Sequence, residues 1–168
     1  MRYRLTRHSG SWAVFLLAFL LQSGGSRATG TEPLHDWSFS KEKISAQTIT
    51  SIKGNLTGRM EKQTVLSPFG LPLDGGNSID VPGMTRGQLP TRTITAEAWI
   101  SVEAGTRWGS IVGYYQDNGS YEKGWLLGYN NTNFLLSVST ASKLHTITSR
   151  TVFEKGRWYH VAGTYDGK

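Results

Sequence analysis

The feature that most restricts this chain is an apolar rhythm of two residues that never gives way to a helical one. In Thr93 to Val102 (TITAEAWISV), Ile94, Ala96, Ala98, Ile100 and Val102 point one way, while Thr95, Glu97, Trp99 and Ser101 point the other. Further strands are expected at Ile44 to Ser51, Ser78 to Val81, Gly109 to Tyr115, Gly124 to Asn130, Phe134 to Thr140, His145 to Thr151 and Trp158 to Tyr165, with Trp37-Ser38-Phe39 in the first strand. Turn signals separate them, among them Asp74-Gly75-Gly76, Pro82-Gly83, Asp117-Asn118-Gly119, Lys155-Gly156 and Asp166-Gly167. Short strands about ten residues apart with Gly-rich turns predict an all-β chain, an antiparallel sandwich or barrel. With 168 residues, 11% aromatic and only 18% charged, the chain can build a core and is no charge-rich disordered segment.

The alternation begins only after a different kind of segment. Residues 1–11 are polar and basic, Trp12 to Leu21 (WAVFLLAFLL) is unbroken apolar chain, and Ser26-Arg27-Ala28 offers small residues at the −3 and −1 positions of a cleavage site. This is the three-part order of a secretory signal peptide. As a helix the run rises only ~15 Å, about half a bilayer core, and no later segment is long enough to span. The expected division is therefore a signal peptide over 1–28, a short linker over 29–35, and a domain over 36–168 that is secreted and holds no membrane span. Arg2, Arg4, Arg7 and Arg27 fall in the leader, which has no acid, so the formal +6 of the chain shrinks to 14 basic against 12 acidic residues beyond it. Nothing is left of a nucleic-acid footprint. With no cysteine, neither a lipoprotein anchor nor a disulfide is available.

Three segments carry a family resemblance: Leu73-Asp74-Gly75-Gly76-Asn77-Ser78-Ile79-Asp80-Val81-Pro82, the strand Ile94 to Ile100 with its central Glu97-Ala98-Trp99, and Lys155 to Gly167 (KGRWYHVAGTYDG). In this order and spacing the chain resembles the laminin-G-like jelly roll of the concanavalin A-like lectin/glucanase superfamily, over roughly Asp36 to Lys168. The resemblance implies a jelly-roll β-sandwich with Trp99, Trp125 and Trp158 as framework residues packed in the core. It also implies further strands after the Asp166-Gly167 hairpin turn. The sandwich is thus expected to be incomplete, a fragment of a longer exported protein whose Trp158 to Tyr165 strand is left as an edge.

Fold alone does not assign function, so the residues are weighed for chemistry. No glutamate has an Asp two residues on and a Glu five on, the paired-acid pattern of the superfamily's glucanases, and no catalytic residue is assigned. Glu97 reads as a framework carboxylate bonded to backbone or a Tyr hydroxyl. His35, His145 and His160 are scattered without zinc-ligand spacing, and no Ser sits in a nucleophile elbow. Binding is the better reading. Around Asp117 the loop combines oxygen donors with aromatic faces that can stack on a sugar ring, which makes Tyr115, Asp117, Asn118 and Tyr121 the candidate ligand-binding residues. Their oxygens suit a hard cation such as calcium, as do Asp74 and Asp80 beside a second loop, although no dense cluster forms. Sequons at Asn55, Asn118 and Asn130 would put glycans on or beside that loop in a glycosylating host. The reading is a secreted, non-catalytic module for carbohydrate or glycoprotein recognition or adhesion, at the N-terminus of a larger protein. The alternative is an accessory domain of a secreted hydrolase whose catalytic residues lie beyond Lys168.

Overall fold

The computed structural model describes residues 14–22, 32–73, 77–90, 92–117, 121–141 and 143–168, with Val14–Gln22, Arg86 and Asp117 described through the backbone. The described chain is antiparallel β-structure with one short 3-10 turn, Arg86–Gln88. The long strands make two sheets. One runs β13-β8-β1-β2, from Trp158–Tyr165, Ile94–Val102, Val14–Gln22 and His35–Ser38, with β6 (Leu71–Leu73) also paired to β1. The other runs β12-β11-β10-β9, from Lys143–Val152, Asn133–Thr140, Glu122–Tyr129 and Gly109–Asp117. A smaller sheet, β3-β4-β5-β7, comes from Ile44–Ser45, Thr48–Thr50, Thr57–Met60 and Ile79–Asp80.

The core follows the alternation. Ile94, Ala96, Ala98, Ile100 and Val102 of β8 are buried, as are Trp125, Leu127 and Tyr129 of β10 and Phe134 and Leu136 of β11. The two sheets approach closely where β13 carries a glycine. A Cβ at Gly163 would stand 3.1 Å from methyls of both Leu127 and Leu136. Phe153, just past β12, closes one end of the core, its ring 5.3 Å from that of Phe134 and 6.1 Å from that of Tyr129. The Tyr159 ring of β13 meets Phe134 edge-on at 5.4 Å, so aromatic contacts tie the sheets together.

Several elements differ from expectation. The span Ile44 to Ser51 is two short strands, because Ala46 turns the chain with φ 52° between them. β5 was not expected, and β2 starts at His35, inside the stretch read as linker. The apolar run of the leader also supplies a strand. β1 lies between β8 and β2, with Leu20 opposite both Glu97 and Asp36.

One side of the sandwich is stepped. β13 forms the edge of its sheet and lies under β11, while β12 reaches past it in the sheet above. Ile147 registers with Leu136 on the core-facing side of β12, yet it is 65% exposed because no strand lies beneath it. The step encloses a groove of about 280 Å³ lined by Leu136, Ile147, Tyr159, Val161 and Gly163, among others.

Candidate binding rim

The β9–β10 hairpin places the loop singled out by sequence. Tyr114 pairs with Trp125 and packs on the core; Tyr115 pairs with Gly124 on the opposite face and is half-buried. Asp117 registers with Glu122, and Tyr121 is 40% exposed at the hairpin end. The backbone therefore gathers Tyr115, Asp117 and Tyr121 at one tip; Asn118, like Asp74, lies outside the described residues. Gly124 is needed here. It has φ 106°, and a Cβ would stand 1.8 Å from the Tyr114 carbonyl oxygen.

Hydrogen bonds tie this hairpin to the neighbouring β11–β12 turn. Ser139 Oγ donates to the Glu122 carbonyl at 2.5 Å, and the Leu144 N–H donates to Glu122 Oε2 at 2.9 Å. Beneath them, at the mouth between the two large sheets, lies a cavity of about 360 Å³. Arg92, Trp125, Ser139, Thr140 and Tyr165 line it. Trp125 is buried, and its Nε1–H has no acceptor among the described residues. Spacing gave no hint of this cavity, because its walls come from the ends of four strands far apart in sequence.

The outer face of β8 and β13 departs from the framework reading. Trp99 is 45% exposed, since alternation puts it on the side opposite Ile100, and Trp158 is half-buried; of the three framework tryptophans only Trp125 is in the core. Among the described residues Glu97 meets a histidine. Its Oε2 lies 3.4 Å from His160 Nε2, and the His160 ring lies 5.2 Å from that of Trp99. His35 is buried, with Nε2 2.6 Å from the Gln88 carbonyl oxygen, and His145 is exposed on β12, so the histidines do not converge. Among the described residues no three His, Cys, Asp or Glu side chains gather as a metal site. Burial pushes the Tyr129 hydroxyl up to about 12.

Residues 73–168 match the laminin G model of the concanavalin A-like lectin/glucanases superfamily, more than half of the chain and all three motif segments. The chain belongs to that family. The antiparallel sandwich is its fold, and laminin-G-like domains are typically non-catalytic binding and adhesion modules for carbohydrate or protein partners. Among curated proteins, mouse (Mus musculus) Pappalysin-1 is 29% identical over a 94-position alignment. That alignment takes in 48% of this chain and 6% of Pappalysin-1, so the chain spans a small part of that relative. No solved structure matches. No helix among the described residues is long and apolar enough to cross a membrane.

Proposed function

We propose that this is a secreted, non-catalytic module that recognises carbohydrate or a glycoprotein surface through the rim built by the β9–β10 hairpin. The observation that carries the reading is the gathering of Tyr115 and Tyr121 at the end of a hairpin whose β10 strand also walls a cavity through Gly124 and Trp125. Aromatic faces beside hydroxyl and guanidinium groups suit a ligand with both CH faces and hydroxyls. Asp117 and Asn118 are the oxygen donors that would hold calcium at the tip. Export rests on the leader, with cleavage after Ala28.

The same proposal makes the module the N-terminal part of a longer exported protein. The stepped edge supports this. A strand added beside β13 would lie beneath Ile147, which is 65% exposed. The test is a glycan array probed with the chain extended past Lys168, with and without calcium. Binding that weakens at least tenfold in Tyr121→Ala is expected. Absence of binding in both conditions overturns the carbohydrate reading, and paired carboxylates or a His/Asp cluster beyond Lys168 would favour the hydrolase-accessory alternative.

A further inference from the structure

We propose that the cavity beneath the β9–β10 hairpin is a saccharide subsite that selects a carboxylate-bearing sugar. The inference rests on the carbohydrate reading of the rim and adds the ligand's charge and the residues that read it. At about 360 Å³ the cavity falls within the range of small-molecule sites. Its chemistry is two-sided. Trp125, Tyr165 and Val138 give an apolar wall for the CH face of a pyranose ring, while Arg92 and Thr140 bring polar groups to it.

The charge preference follows from an excess of donors. Among the described residues no Asp or Glu lines the cavity, whereas Arg92 does. Two more cations flank the site, Lys143 in register with Thr140 and Lys168 beside Gly167. A ligand carboxylate pairs with Arg92, while the ring fills the apolar side. Free sulfate or phosphate would meet the donors and leave that wall uncovered.

The test titrates the 168-residue chain, by calorimetry and tryptophan fluorescence, with 3′-sialyllactose and a hyaluronan tetrasaccharide. Lactose, chitotetraose and sodium sulfate are the counterparts. At least one acidic saccharide should bind tenfold or more tightly than its neutral counterpart and than sulfate. Arg92→Ala should remove that preference, and Trp125→Phe should weaken binding at least fivefold. If Trp125→Phe melts early, Thr140→Val takes its place, with the same expected weakening. Equal affinity for neutral sugars or sulfate, acid binding unchanged by Arg92→Ala, or no binding of either acidic saccharide overturns the subsite. Saccharide binding lost in Tyr121→Ala but kept in Arg92→Ala overturns the subsite and leaves the hairpin reading standing.

Discussion

Two residues of β10 set narrow conditions on the fold. At Gly124 a side chain is opposed twice, by φ 106° and by the Tyr114 carbonyl 1.8 Å from where Cβ would stand. Gly124→Ala should therefore cost about 2–4 kcal/mol, overpacking added to a backbone penalty, measured by urea unfolding. Tyr129 sets a condition on pH. Burial pushes its hydroxyl up to about 12, against the ordinary tyrosine value of 10, so the folded state keeps the proton longer. This group's contribution is constant below pH 10, falls as pH rises from 10 to 12, and is lost above 12, roughly 3 kcal/mol in all. Unfolding of Tyr129→Phe between pH 9 and 11.5 should decline less steeply than that of the parent, and equal slopes would contradict the assignment. Period alone reveals neither residue, since the clash at Gly124 is with the neighbouring strand. Trp99 shows the opposite case. Alternation places it with Glu97 and opposite Ile100, and the structure bears that out, whereas the family framework put it in the core.

At the scale of elements, the strands legible in sequence were those with one buried face. Ile94–Val102 and Trp158–Tyr165 stand where their apolar alternation puts them, because one face meets the other sheet. β5 escaped because four residues reading Thr-Gly-Arg-Met carry too short a pattern. The edge strand β12 separates the two kinds of apolar residue. Ile147 is 65% exposed, so Ile147→Thr should change stability by less than about 0.5 kcal/mol. Phe153 sits among Tyr129 and Phe134, and Phe153→Ala should cost about 3–5 kcal/mol. If a strand comes to lie beside β13, Ile147 becomes a core residue, and Ile147→Thr in a longer chain should then cost about 1–2 kcal/mol more than in this one. Denaturant midpoints for the four proteins, two lengths with and without the substitution, decide it.

The whole molecule turns on the leader, which the sequence reads as removable and the structure uses as a strand. β1 is the join between β8 on one side and β2 and β6 on the other. Cleavage after Ala28 takes the whole of β1 and leaves β8 paired only to β13, with backbone donors and acceptors along its other side unmet. The apolar residues of β8 stay anchored in the core, so the chain from Thr29 should remain β-rich while losing the continuity of its larger sheet. We therefore expect the 29–168 chain to bind the hydrophobic dye ANS, to unfold over a broader urea range than 1–168, and to self-associate through β8. Extension of 29–168 beyond Lys168 should reverse all three if later residues supply the strands that the resemblance implies, one beside β13 and one in the place β1 leaves. Light scattering, ANS fluorescence and urea unfolding of 1–168, 29–168 and the extended chain make the comparison. A sharp, monomeric, dye-silent transition of 29–168 would show that the domain needs neither β1 nor a later strand, and the proposal of a longer exported protein would lose its structural support.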